Sequence, residues 1–385
     1  MEKILHICLN SPLTDRWNYQ DNLLPKYHKI NGNNVVILTS SYTRNIQGEI
    51  VYDNRKAYYN ENDIKVIRLR NKYYTNFKSK FKKYKDVYEN IKNECPTIIF
   101  VHGPQFVDIK QVIKYVKEHT EVKILVDNHA DFSNSASNWV SRNILHKIIW
   151  RYYSNLIEPF THKFYGVLPA RVEFLKNIYK LPSEKVELLV MGADDENIKE
   201  ARDETSIKFI RNKYNIKTKD FLIMTGGKID QAKKQTLLLM QAVKNIDRKD
   251  VKLIVFGSVV EELQNKVNEL ADGVKVQYIG WVKAEENLKY FASADLVVFP
   301  GRHSVFWEQV VALGIPLMVK RWPGTSHIDI GGNCVFLKKD DVSEMYDKIY
   351  DLVNNPCKYK KLQTSALDKR RNEFLYSEIA KRSLD

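Results

Sequence analysis

Short unbroken apolar runs recur along the chain, each separated from the next by a longer stretch with amphipathic spacing. In the first half the runs are Ile4–Leu9, Val35–Thr39, Ile64–Leu69, Thr97–Val101, Lys123–Asp127 and Phe164–Leu168. Runs of this length, rich in Val and Ile and without alternation, predict strands buried on both faces. The segment Tyr19–Lys29 and its later counterparts predict helices that cover them. A short strand and an acidic stretch, Glu187–Asp195, close this series. A second series follows: Phe221–Thr225, Lys252–Phe256, Lys275–Ile279, Leu296–Pro300 and Leu317–Lys320, punctuated by Gly226-Gly227, Gly257 and Gly314. Strand–helix alternation predicts mostly parallel sheets covered on both faces. The expected fold class is therefore α/β, with two doubly wound Rossmann-like domains facing a central cleft, residues 1–195 and 196–370. A last amphipathic helix, Phe374–Leu384 within 371–385, is free to return to the first domain. In such sheets ligands bind beyond the carboxyl ends of the strands.

A chain of 385 residues is too long for one ordinary core, which agrees with two domains. Basic residues outnumber acidic ones, 61 to 47, for a formal charge of +14. That excess points to an anionic partner such as a nucleotide phosphate or an acidic membrane face, or else to a lysine-rich solvated surface. No recognition-helix or RNA-binding signature accompanies it, so nucleic acid is not expected as a partner. The four cysteines are far apart with no CxxC spacing, which argues against structural zinc and fits a reducing compartment. The opening MEKILHICLN begins a strand and contains no cleavable apolar stretch. No apolar run approaches the roughly 20 residues that span a bilayer. The expected location is cytoplasmic, peripheral on the inner face of the cytoplasmic membrane. Two basic, aromatic segments, 73–93 and 141–160, could lie on an anionic leaflet or meet a lipid-linked acceptor, or pack as ordinary helices with snorkelling lysines.

Two segments of the second series carry chemistry. In TGGKIDQAKKQ, residues 225–235, a strand ends at two glycines and is followed by Lys228 and Lys233. Glycines let backbone approach an anion closely, and two lysines near a helix start can neutralise a diphosphate. Alone, the pattern also describes a tight strand-to-helix turn with surface lysines. In FPGRHSVFWEQVVALGIP, residues 299–316, a strand ends at Pro300, Ser304 stands as the natural N-cap, and a helix from about Val305 ends at Gly314. The amides of Ser304, Val305 and Phe306 would favour phosphate there, and Glu308 or Gln309 could reach ribose hydroxyls. Both segments fall on the same edge of one sheet.

These segments resemble the retaining glycosyltransferases of the GT-B fold, family 4 (group 1) type. That family has a Gly-Arg turn, a lysine five residues after the arginine, and a Glu-x7-Glu motif. Here Gly227-Lys228 stands at the turn and Lys233 at the lysine. Residues 309–316, QVVALGIP, cover the end of the carboxylate motif, and YIGWV, 278–282, is similar to the loop beside the nucleotide base, with Gly280 and Trp281. The segment 18–40 is similar to the opening of members that assemble bacterial surface polysaccharides. The sequence departs from the motif at both carboxylates: Gln309 replaces the second, with Glu308 just before it, and Gly301 occupies the first. His303, Ser304 or Glu308 could take over the sugar contact. Arg16-Trp17-Asn18 replaces the first-loop glycines, and Arg16, Tyr19 and Gln20 fall on the acceptor side.

His102 and His129 each follow a strand, His129 flanked by Asp127 and Asp131. Such residues can be structural hydrogen-bonders and turn formers, or can orient a ring and bind an acceptor hydroxyl. The resemblance implies that His129 contacts the donor sugar. It also implies front-face attack without a covalent nucleophile, with the diphosphate stabilised by Lys228, Lys233 and the helix start. No cofactor and no metal are expected. The donor would be a nucleotide-sugar, UDP- or GDP-linked, and the acceptor a glycan on a polyprenyl-diphosphate or similar lipid. A sugar-nucleotide epimerase of the same fold and a non-catalytic basic membrane- or nucleic-acid-binding protein are the alternatives.

Overall fold

A computed structural model describes residues 1–45, 48–72 and 82–385. The chain forms two compact units, Met1–Met191 joined by Tyr376–Asp385, and Gly192–Leu375. The division thus falls four residues before the expected boundary at 195, and the returning segment starts at Tyr376.

The first unit is built on an eight-stranded sheet. Its strands are β1 (Lys3–Cys8), β2 (Asn34–Ser40), β5 (Ala57–Tyr59), β6 (Lys65–Leu69), β7 (Ile98–His102), β8 (Lys123–Asn128), β9 (Thr161–Gly166) and β10 (Val186–Leu188), and an outlying hairpin pairs β3 (Tyr42–Arg44) with β4 (Ile50–Tyr52). The order across the sheet is β10-β9-β8-β7-β1-β2-β6-β5, and every pairing except β5 with β6 is parallel. The central runs KILHIC, NVVILTS and IIFVH are buried along nearly their whole length, as strands covered on both faces must be. Helix Ile109–Glu118 presents Ile109, Val112, Ile113 and Val116 to that core at helical spacing.

The second unit has six parallel strands, β11 (Phe221–Gly226), β12 (Val251–Phe256), β13 (Val276–Tyr278), β14 (Leu296–Phe299), β15 (Leu317–Lys320) and β16 (Cys334–Leu337), in the order β13-β12-β11-β14-β15-β16. The switch in direction lies between β11 and β14, the strands that precede the two chemistry-bearing segments. Helices Gln235–Asn245 and Val342–Asn354 bury Leu239, Val243, Met345 and Ile349 against this sheet.

Several expectations shift. The strand expected at 164–168 is Thr161–Gly166, because Pro169 opens a helix and Val172 leaves no room for a side chain at Gly166, where a Cβ would sit 2.4 Å from the Val172 nitrogen. The helix expected over 374–384 is a 3-10 turn, Lys369–Phe374, followed by helix Tyr376–Arg382. Segment 141–160 is a π-helical stretch, Ser141–Trp150, running into an α-helix, Arg151–Ile157. Residues 73–81 of the basic segment 73–93 lie outside the described residues. Among the described residues no helix is long and apolar enough to cross a membrane.

Candidate functional site

In the second unit, β11 ends in Gly226 and Gly227, and neither position tolerates a side chain easily. A Cβ on Gly226 would lie 2.3 Å from the Phe256 ring, and Gly227 has φ +122°. The turn is tied to its neighbour strand by Gly227 N–H donating to Phe256 O (3.0 Å), and Gly257, with φ +128°, packs its Cα against the Gly227 carbonyl. From this turn the chain runs through Lys228 and Lys233 into helix Gln235–Asn245. The segment after β14 comes back to the same place. Gly301 lies against Lys233: a Cβ there would be 3.5 Å from Lys233 Cα and 3.3 Å from Gln235 Oε1. Gly226, Gly227, Lys228, Lys233, Gly301, Arg302 and Ser304 therefore line one open depression, together with Thr225 and Thr236.

Its electrostatics suit an anion. Lys233 is partly buried and makes no ion pair among the described residues, and burial lowers its pKa against the opposing pull of Asp230. A bound phosphate would restore what burial removes from the ammonium. Lys228 is exposed, 3.9 Å from Asp230. The helix after β14 is Phe306–Leu313, and the amides of Ser304, Val305 and Phe306 precede its first N–H donor, Trp307, so no helix carbonyl takes them and they are open to a ligand.

Ser304 is not the side-chain cap that the sequence suggests. Val305 occupies the cap position in helical conformation, no side chain caps it, and Trp307 N–H donates to the Ser304 carbonyl. Glu308 does not face ribose either. It is fully buried, and its Oε1 accepts from His303 Nε2 (2.7 Å) and from His327 Nε2 (2.8 Å). Burial alone would raise this carboxyl, but the two imidazoles outweigh it and bring the group down to about 2. His303 is turned toward Glu308 and packs on Trp307 rather than lining the depression. Gln309 is buried in the helix, and Val305 stands at its cap. Gly280 accepts from Gly257 N–H (2.7 Å), which anchors the 278–282 loop, while Trp281 is exposed outside the depression.

The ligand atoms of His303, Glu308 and His327 lie within 4.8 Å of one another, so this group could hold a divalent ion, a convergence the sequence spacing does not announce. At 2.7 and 2.8 Å, however, the contacts are hydrogen bonds. His327 Nδ1 has no partner, where a metal-ligating imidazole would make an outer hydrogen bond.

In the first unit, the carboxyl ends of β7 and β8 and the start of helix Gln20–Ile30 bring Gln20, His102, Asp127 and His129 together. Gln20 Nε2 donates to Asp127 Oδ2 (3.0 Å), and His102 Nδ1 lies 2.9 Å from the same oxygen. His129 Nε2 is 3.4 Å from it without the alignment of a hydrogen bond, and its side chain is one-third exposed. Burial pushes Asp127 up, but His102 and His129 outweigh it and hold the carboxyl well below the usual range. Asp127 Oδ1, Gln20 Oε1 and His129 Nε2 are buried without partners, as atoms awaiting a ligand would be.

Three residues expected on the acceptor side lie elsewhere. Asp131 is not free for a hydroxyl: Oδ1 accepts from Ser133 and Oδ2 from Arg171 Nε (3.1 Å), making it a turn former. Arg16, at φ +64°, sits in an exposed turn held by its N–H to Glu61, and Tyr19 is exposed against Trp17. Arg302, Thr225, Thr236 and His327 were not singled out by sequence. His6 and His28 were missed as well, although a histidine inside the apolar run ILHIC is a visible signal.

Residues 220–355 match the family model described as glycosyl transferases group 1. An uncharacterized glycosyltransferase of Methanocaldococcus jannaschii is 25% identical over 177 residues, which is 43% of this chain and 44% of that protein's length. The chain thus matches less than half the length of this relative. Sucrose-phosphate synthase from Thermosynechococcus elongatus superposes with a TM-score of 0.70 at 14% identity, over 99% of this chain and 97% of that one. HepE of Anabaena, in complex with UDP-glucose, gives 0.66 at 14% identity, over 100% and 98%. The fold is that of the GT-B glycosyltransferases, with two Rossmann-like sheets.

Proposed function

We propose that the protein is a retaining, hexosyltransferase-type glycosyltransferase. It moves a sugar from a UDP- or GDP-linked donor onto a polyprenyl-diphosphate- or lipid-linked glycan during assembly of a bacterial capsule, lipopolysaccharide or exopolysaccharide. The observation that carries this reading is the shared depression in which the Gly226-Gly227 turn, Lys233 and the loop 300–304 meet. A diphosphate there would meet Lys228, Lys233, Arg302 and the amides of Ser304 to Phe306. Charge that builds on the leaving phosphate as the glycosidic bond breaks would be stabilised without a divalent ion. The acceptor oxygen then bonds to the anomeric carbon on the face the diphosphate leaves, and the acceptor proton passes to a phosphate oxygen. His129, with Asp127 beneath it, is assigned to the donor sugar.

Contact with an anionic membrane draws support from Val140, Ile144, Ile148 and Tyr152. They recur every four residues, all exposed, beside exposed Trp139 and the basic Arg142, Lys147 and Arg151. A peripheral position on the cytoplasmic membrane follows from this reading.

Thermal-shift measurement against UDP-, GDP-, ADP- and CMP-sugars tests the function. One class is expected to stabilise the protein. Turnover with that donor should release free nucleotide and form a glycosidic bond. A product that is an altered but still nucleotide-linked sugar would instead identify an epimerase, and stabilisation by none of the four would sink the reading.

A further inference from the structure

Four buried hydrogen-bond links run in a line through the first unit, from the C-terminal helix to Asp127. His28 Nε2 lies 3.1 Å from the Ala380 carbonyl and 2.8 Å from Ser383 Oγ. His28 Nδ1 lies 3.0 Å from His6 Nε2, His6 Nδ1 lies 2.9 Å from His102 Nε2, and His102 Nδ1 lies 2.9 Å from Asp127 Oδ2. All three histidines are at most 3% exposed, so water does not replace a missing partner.

Each link needs one hydrogen, and both ends of the line accept only. A carbonyl oxygen takes the His28 end. Ser383 Oγ lies 2.8 Å from both His28 Nε2 and the Ala380 carbonyl, and turning its single hydroxyl proton to the carbonyl satisfies that oxygen and leaves the hydrogen at His28 to come from Nε2. Reversing it would set the His28 lone pair against that carbonyl. At the other end a carboxylate accepts. Four links need four N–H groups, and three neutral imidazoles carry three. Following the hydrogens from Ala380 gives His28 with its proton on Nε2, His6 with its proton on Nε2, and His102 donating through both nitrogens.

We infer that the His28–His6–His102 line holds one proton more than three neutral imidazoles carry, seated on His102 against Asp127. We also infer that His6 and His28 are positioning residues for the Asp127–His129 pair. The second half rests on the proposed transfer site; the proton count does not. Without the extra proton, one link becomes two buried lone pairs about 3 Å apart, an unsatisfied contact of the kind folded proteins avoid. With it, the charge on His102 faces Asp127, and Asp21 Oδ1 lies 3.4 Å away. Among the described residues, other titratable groups near the line include Cys8 on β1, His129 beyond β8, Tyr165 on β9, stacked on the far side of Phe100, and Arg382, Asp385 and Lys123 around the segment that carries Ser383. Burial keeps Cys8 and Tyr165 neutral. The charge balance agrees. Burial lowers His102, yet Asp127 and Asp21 outweigh it and raise the group, whereas burial pushes His6 far down and His28 to about 3.

Long-range proton–nitrogen NMR on the full chain with labelled histidine reads the tautomers directly. His6 and His28 should be neutral with hydrogen on Nε2, and His102 should keep both ring protons at pH 7.5. A neutral His102, or His28 protonated on Nδ1 alone, overturns the count. His6→Phe keeps a ring beside Phe100 but removes the acceptor for His102 Nε2. His102 should then fall to a neutral ring protonated on Nδ1. With the donor identified by thermal shift, the alkaline limb of the turnover profile should move down by about one pH unit or more. Ser383→Ala leaves both acceptor ends in place and should leave His102 doubly protonated; loss of its proton there overturns the count even if His6→Phe fails to fold. Tautomers as expected with an unmoved pH limb overturn the positioning role alone. Absence of any transfer is read separately, as failure of the proposed function.

Discussion

Replacing Gly257 by alanine separates the phosphate turn from ordinary loop strain. At φ +128° any side chain is strained, and the added Cβ would lie 2.0 Å from the Gly227 oxygen and 2.6 Å from its carbonyl carbon. Reaching an ordinary 3.4 Å contact requires the Gly227 carbonyl to move by about 1.4 Å (3.4 minus 2.0). That movement breaks the Gly227-to-Phe256 hydrogen bond. Backbone strain of about 1–2 kcal/mol and a lost hydrogen bond of about 1 kcal/mol give about 2–3 kcal/mol. For a unit of this size the melting temperature should fall by about 5–10 °C. Displacing donor-contacting amides by more than about 1 Å should cost roughly 100-fold in turnover. Gly273→Ala is the matched control: it has φ +72° with nothing within 4 Å of its Cβ, so it should cost about 1 kcal/mol and leave donor binding intact. Differential scanning fluorimetry with and without the nucleotide-sugar reads both effects. If the two variants melt alike and bind donor alike, the proposed role of the Gly227 turn is wrong.

Lys233→Ala should remain folded and lose most donor-dependent activity, with a larger rise in donor Kd than Lys228→Ala, because Lys233 is the more buried of the two; calorimetric titration decides it. His129→Ala should lower kcat more than it weakens donor binding, and an unchanged kcat would leave that histidine structural. Acid should weaken the first unit. The neutral His28, lowered from 6.5 to about 3, contributes stability that is complete above pH 6.5 and lost as pH falls from 6.5 toward 3. The full loss is up to roughly 4–5 kcal/mol by linkage, measurable as a falling denaturant midpoint that His28→Gln should flatten. Ile148→Glu should cut binding to vesicles containing phosphatidylglycerol at least several-fold while leaving binding of the nucleotide-sugar unchanged, as sedimentation would show.

Where burial on both faces dictates an unbroken apolar run, the strand is plain from sequence: VVIL of β2 and IIFV of β7 lie within a residue or so of their expected limits. β3, β4 and the edge strand β5 are three residues long, β3 half-buried and the other two mostly exposed, so no buried run marks them. The depression was legible because its parts are local: glycines after β11, lysines at fixed spacing, and a helix start after β14. Orientation was not. Spacing places Glu308 one turn into its helix, yet that helix is buried almost all round, and the carboxylate points inward to His303 and His327. Gly301 marks a lost carboxylate in the sequence, and the structure adds that this position lies against Lys233, where a Cβ would come within 3.5 Å of the Lys233 Cα. The histidine line depends on β1 lying between β7 and β2, a strand order that no local pattern encodes.

The return of Tyr376–Asp385 to the first unit has a consequence for biosynthesis. When β10 leaves the ribosome, every strand of the first sheet exists, but Ala380 and Ser383, which terminate the line at His28, do not. The nascent unit must wait for Gly192–Leu375, 184 residues, and the segment after it to be made before Nε2 of its buried His28 finds a partner. Completion of the earlier-born unit is thereby deferred until the second unit has been made, and a ribosome that stalls within Gly192–Leu375 leaves the first unit unsealed.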